Sequence, residues 1–161
     1  SSMLATVSAL SAQNLGAGKE KRATDTLRYA TVITTIYGMI VAVLIQFIAE
    51  NVVGIFTSDT TVVTMGSAYI RSYIWDCIFA GIHFSFSGYF AACGKSYIGF
   101  LHNIISITFV RVPGSYLASK YFIDTLYPMG LAAPAGSLVS VAICVTAFIL
   151  LKRKSRVAQT A

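Results

Sequence analysis

The chain has 161 residues, 56% of them hydrophobic and only 11% charged, and its mean hydropathy is +0.72. A soluble domain carries about 25% charged residues to cover its surface, so a water-exposed globule is excluded and lipid is the solvent that removes the need. The net charge of +6 does not signal nucleic acid, because the basic residues form two clusters bordering apolar runs rather than a stripe.

The chain starts in Ser-Ser, without a basic-then-apolar signal-peptide pattern, and reads as an internal start. Met3–Leu10 reads as the last turns of a helix that begins earlier, within an element covering residues 1–14. Four apolar runs follow, Leu27–Ala49 (27–49), Ala68–Cys93 (68–93), Ile98–Tyr121 (98–121) and Pro128–Leu151 (128–151). Each reaches the roughly 20 residues a membrane-crossing helix needs, and none shows the ten-residue alternation of a barrel strand. The expected fold is all-α, a polytopic transmembrane helix bundle with four full spans plus the end of a fifth. Residues 152–161 are expected to be a cytoplasmic tail.

The connections set an expected topology. Lys19, Lys21, Arg22 and Arg28 fall in the Gly16–Arg28 connection, and Lys152, Arg153, Lys154 and Arg156 follow the last run, so both are expected inside. The Glu50–Ser67 loop holds Glu50 and Asp59 and no Lys or Arg, and is expected outside. Lys95 marks a short inner turn. Lys120, in the second outer loop, departs from the rule and is partly offset by Asp124. Thr57, Ser58, Asp59 and Thr60 form a polar turn suited to capping a short outer helix. Tyr69, Tyr73 and Trp75, and then Tyr121 and Tyr127, fall where interfacial aromatics prefer to lie. The location expected is a cell membrane, multi-pass, with the C-terminus cytoplasmic.

Polar residues within spans each need a reason, because an unpaired polar group in hydrocarbon is costly. Ser72, Asp76, Ala80, His83 and Ser87 share one face of the second span. Asp76 is the carboxylate deepest in any span, suited to carry a proton or bind a cation; the alternative is an interfacial Asp76 paired with Arg71. His83, Ser72, Ser87 and Arg111 are candidate relay or cavity residues, with a packing histidine as the other reading of His83. Arg111 reads either as a snorkelling anchor or as the partner of an acid elsewhere in the protein. Pro113, beside Asn103, Ser106 and Thr108 in the third span, predicts a kink near Phe109–Pro113. Small-residue rows at Thr31, Thr35, Gly38, Ala42 and Gln46, and at Ala132, Gly136, Ser140 and Cys144, predict close helix packing. Cys77, Cys93 and Cys144 show no CxxC spacing and read as small buried hydrophobes. Gly94-Lys95-Ser96 and Gly16-Ala17-Gly18-Lys19 lack the glycine spacing of a phosphate-binding loop and read as tight inner turns.

The stretch Ala12-Gln13-Asn14-Leu15-Gly16-Ala17-Gly18-Lys19 closely resembles the end of the eighth helix in multidrug and toxin extrusion transporters. Ile55-Phe56-Thr57-Ser58-Asp59, Gly88 through Lys95, and Arg111-Val112-Pro113 with the Ser115–Ser119 run resemble later segments of that family in the same order. Gln13, Asn14, Gly16, Gly18 and Pro113 thus stand as motif and structural positions. The resemblance implies helices nine to twelve of a twelve-helix protein and most of its second lobe. It also implies antiport, with Na⁺ or H⁺ entering as amphipathic cationic drugs leave by alternating access. Asp76 falls on the helix where one branch carries a cation-binding acid, so a Na⁺ at Asp76 is the one metal expected, with no cofactor beyond the coupling ion. The implied partners are the lipid bilayer, the N-terminal lobe and a small amphipathic cation, and no nucleic acid. A lipid-linked sugar flippase of the same superfamily, or a small four-helix scaffold protein, are the alternatives. An enzyme is not expected, because Asp76 and His83 have no nucleophile or metal-ligand set beside them.

Overall fold

A computed structural model describes residues 2–160, with side chains described over 2–153. Every element is helical: α1 (Ser2–Gly16), α2 (Glu20–Gly54), α3 (Thr60–Tyr73), α4 (Asp76–Ala92), α5 (Ser96–Ser106), a π-helical turn (Ile107–Arg111), α6 (Val112–Tyr121) and α7 (Tyr127–Thr160). α4 lies centrally, against α1, α2, α5 and α7, while α3 and α6 pack on α7.

The packing inverts that of a water-soluble protein. Among the most fully buried side chains are six serines, Ser11, Ser72, Ser85, Ser106, Ser137 and Ser140, with Phe90, His102, Val7 and Cys144. Phe47, Ile55, Phe56, Tyr37 and Ile36 point outward. Small residues inside let backbones approach closely, and apolar residues outside suit lipid. The first row is carried by Ala30, Thr34, Gly38 and Ala42, all buried, so its inward face is shifted slightly from the expected one. Gly38 brings α2 onto the backbone of Ile78, 3.0 Å from where a Cβ would stand. The second row, from Ala132 to Cys144, is buried as expected.

Boundaries differ from the expected ones where a helix runs on or breaks. α2 starts at Glu20, so the first basic loop shrinks to residues 17–19 and Lys21, Arg22 and Arg28 ride on its first turns. The loop expected over Glu50–Ser67 contracts to residues 55–59, because Asp59 caps α3 by accepting from the amides of Thr61 (2.8 Å) and Val62 (3.4 Å). The expected tail is helical backbone continuing α7, and the side chains of Lys154 and Arg156 lie outside the described residues. Among the described residues two helices are unbroken, long and apolar enough to cross a membrane, Glu20–Gly54 and Tyr127–Arg153. The second expected span is built from α3 and α4, and the third from α5, the π turn and α6.

Both Gly-Lys sequences are helix ends of one design. Gly18 and Gly94 have positive φ, 71° and 69°. The following amides reach back five residues, Lys19 to the Asn14 carbonyl and Lys95 to that of Phe90, each at 2.8 Å. This is a glycine-terminated Schellman closure, which needs a residue able to adopt the left-handed conformation. The two turns leave Lys19 and Lys95 at one end of the bundle, where Lys95, Lys152 and Glu20 line a common groove.

Candidate functional site

Two helix interruptions meet at one ion pair. The first separates α3 from α4 at Ile74–Trp75, where the amides of Cys77 and Ile78 bond only three residues back. The Arg71 carbonyl accepts from Gln46 Nε2 of α2 at 2.9 Å, so a side chain meets a carbonyl at the break. Asp76 is the first residue after this interruption. The second is the π turn, in which the Val112 amide bonds the Ile107 carbonyl five residues back. Pro113 follows it without a backbone donor, so the distortion expected near Phe109–Pro113 includes a widened turn. Arg111 is the last residue of that turn.

Arg111 Nη2 stands 3.2 Å from Asp76 Oδ1 and 3.5 Å from Oδ2. Both sequence readings of Arg111 are corrected here: its partner is an acid of this chain, and it is not a free anchor. The suggested Arg71–Asp76 pair is corrected as well. Arg71 turns instead to Glu50 (3.1 Å) and the Gln46 carbonyl (3.2 Å). The Asp76 side chain is 9% exposed and that of Arg111 30%. Losing either partner of such a pair strands a charge that is costly to leave unpaired.

The ion pair begins a longer polar chain through the bundle. Arg111 Nη2 donates to Ser137 Oγ of α7 at 2.6 Å. Ser137 Oγ lies 3.4 Å from His83 Nε2. The rings of His83 and His102 meet edge-on, with centroids 5.3 Å apart, and His102 Nε2 is 2.8 Å from Ser87 Oγ. Ser87 Oγ also donates to the His83 carbonyl at 2.9 Å, and Ser137 Oγ receives from Arg111. The Nδ1 atoms of both histidines are buried and unpaired among the described residues.

Gly136 makes room for this arrangement. A Cβ there would stand 2.5 Å from Arg111 Cγ, 2.8 Å from Ser106 Oγ and 3.0 Å from Arg111 Nε. Ser106 Oγ and Arg111 Nε are themselves buried without partners among the described residues.

The residues expected to act together are only partly assembled. Asp76, His83, Ser87 and Arg111 join one network. Ser72 does not: its hydroxyl donates to the Tyr69 carbonyl of its own helix, and its side chain packs on Gly130. Gln13, Asn14, Gly16 and Gly18 form the α1 end, where the Asn14 side chain bonds the Leu10 carbonyl at 2.8 Å. Asn103 and Thr108 face outward. His102 and Ser137 were missed. The chain's two histidines both fall inside expected spans, which was the available signal for His102; Ser137 carried none. Among the described residues no three His, Cys, Asp or Glu side chains gather as a metal site.

The MatE family model matches residues 1–117. The chain belongs to this family. The comparisons with curated proteins and with solved structures found no match. MatE proteins are membrane transporters, and the inverted packing agrees with a helical membrane bundle. The matched segment runs from α1 into α6 and holds Asp76, His83, His102 and Arg111. Gly136 and Ser137, which complete the site, lie on α7 beyond it.

Proposed function

We propose that this chain is the cation-coupling part of an antiporter that exports amphipathic cationic compounds in exchange for Na⁺ or H⁺, with Asp76 as the cation-binding group. One observation carries the reading: a carboxylate buried beside two interrupted helices, held by a charge from the same chain. Interrupted helices are where membrane transporters place ion sites, because unwound turns expose polar backbone and move as hinges. Arg111 acts as the resident counter-charge. A proton or Na⁺ arriving at Asp76 neutralises the carboxylate and releases Arg111, and a state in which Arg111 is released favours a different packing of α5, α6 and α7. The cation drives the cycle only through its differing affinity for the two states. His83 and His102 extend the polar path from the ion pair towards the Lys95 end, and the basic clusters support a cytoplasmic location for that end and the C-terminus.

A flippase for anionic lipid-linked sugars would want Arg111 free to meet a phosphate, and its pairing with Asp76 disfavours that reading. The test is the full-length parent protein in proteoliposomes, with a fluorescent cationic dye driven separately by Na⁺ and H⁺ gradients. Wild type moves dye under one gradient and Asp76→Asn, folded normally, loses that coupling. Undiminished gradient-driven flux in Asp76→Asn removes Asp76 from the mechanism, and absence of dye flux under either gradient favours the flippase.

A further inference from the structure

The basic residues do more than cluster in sequence, because folding gathers them around one groove. Glu20, Lys21, Thr24, Asp25, Arg28 and Lys152 line a cavity of about 520 Å³ between the start of α2 and the end of α7. Lys19, Arg22, Lys95 and Arg153 border it in adjoining grooves. Seven basic side chains therefore surround this region, against the two acidic ones, Glu20 and Asp25. Among the described residues Arg28 and Lys152 engage no ion pair.

A second groove of about 300 Å³ opens from the same place and shares Thr24 and Arg28 with the first. It continues along α2, α4 and α7 past Leu27, Thr31, Val32, Phe86 and Phe148. Its two threonines present methyls, because Thr24 Oγ1 donates to the Glu20 carbonyl (3.2 Å) and Thr31 Oγ1 to that of Leu27 (2.9 Å). Lys152 Nζ lies 5.5 Å above the Phe148 ring, at the junction of the basic and apolar parts. A basic mouth opening onto a dry apolar channel has the polarity of one ligand class, an anion with a hydrocarbon tail.

We propose that this composite groove binds one anionic phospholipid, with its phosphate between Arg28 and Lys152 and an acyl chain along Leu27, Val32, Phe86 and Phe148. A free phosphate would gain nothing from the apolar channel, and a zwitterionic lipid would gain little from the excess of positive charge. The site joins the first and last spans of the chain at the end where the positive-inside pattern places anionic headgroups.

The test uses the full-length parent protein, delipidated in detergent, with retained lipid counted by native mass spectrometry during titration. The probes are phosphatidylglycerol, phosphatidylcholine and inorganic phosphate as competitor. The expected result is one phosphatidylglycerol held in clear preference to phosphatidylcholine and not displaced by inorganic phosphate. Each basic residue near such a surface is worth about fivefold in affinity, so Arg28→Gln with Lys152→Gln weakens retention about thirtyfold. Val32→Trp, at an exposed groove position, keeps every charge but crowds out acyl methylenes. At about fourfold per methylene, losing two costs about fifteenfold. Lys120→Gln, at the opposite end of the bundle, leaves retention unchanged. If the double variant does not purify as a monodisperse protein, Arg28→Gln alone carries the test at about fivefold. Equal retention of both lipids overturns the proposal, as does wild-type retention in Val32→Trp, displacement by inorganic phosphate, or a Lys120→Gln loss matching that of the double variant.

Discussion

Replacing Gly136 by alanine adds one methyl group directly under Arg111. The new Cβ would stand 2.5 Å from Arg111 Cγ, whereas non-bonded carbons settle about 3.5–4.0 Å apart. Arg111 or α7 must therefore give way by about 1 Å or more. The Arg111–Asp76 contact is 3.2 Å, so a displacement of that size breaks it. Overpacking of this kind costs about 1–3 kcal/mol. Gly130→Ala supplies the comparison: its Cβ would meet the Ser72 hydroxyl and the α3 backbone rather than a charged side chain. Gly54→Ala meets nothing within 4 Å and gains helix propensity of up to about 1 kcal/mol. Thermal unfolding and gradient-driven dye transport are measured on the three variants of the full-length protein. The account expects Gly136→Ala and Gly130→Ala to lose comparable stability, but only Gly136→Ala to uncouple transport; Gly54→Ala keeps both. Normal coupling in a Gly136→Ala protein would refute the role given to the Arg111 position.

Removing one member of the ion pair should cost more than removing both. Asp76→Asn or Arg111→Gln alone is expected to lower stability by about 3–5 kcal/mol, and the double variant to recover a large part of it, read by thermal unfolding of all three. Gln46→Leu removes the side chain that meets the Arg71 carbonyl at the α3–α4 break; it should cost about 1–3 kcal/mol in the same assay and change hydrogen exchange around Ile74–Trp75. Ser87→Ala leaves His102 Nε2 without its partner and should cost about 1–3 kcal/mol, whereas Ser119→Ala, on an exposed hydroxyl, should be close to neutral.

Much of the fold was legible because its signals are local. Run lengths gave the membrane class, and the two Gly-Lys sequences gave the turns at Gly18 and Gly94. Asp59 announced the start of α3, and the small-residue row from Ala132 to Cys144 gave the buried face of α7. What escaped depends on contacts between distant parts of the chain. The break at Ile74–Trp75 sits beside a carbonyl taken by Gln46, 25 residues away, so nothing within residues 68–93 announces it. Pro113 promised a distortion and the structure supplied one, but a proline alone does not specify a π turn. Asp76 stood out as a buried acid on a polar face. Its partner did not, because helix rotation decides whether Arg111, 35 residues on, turns towards it. Ser72 shows the reverse error: it shares the helical face of Asp76, yet its hydroxyl is satisfied by its own backbone.

The central claim is that Arg111 competes with the coupling cation for Asp76. The most direct measurement is the half-saturating concentration of the driving cation for dye export by the full-length protein, compared between wild type and Arg111→Gln. A pair contributing about 1.4 kcal/mol to holding the carboxylate shifts that constant about tenfold, so Arg111→Gln should saturate at lower cation concentration, even if its turnover falls. An unchanged or raised half-saturating concentration in Arg111→Gln would contradict the account.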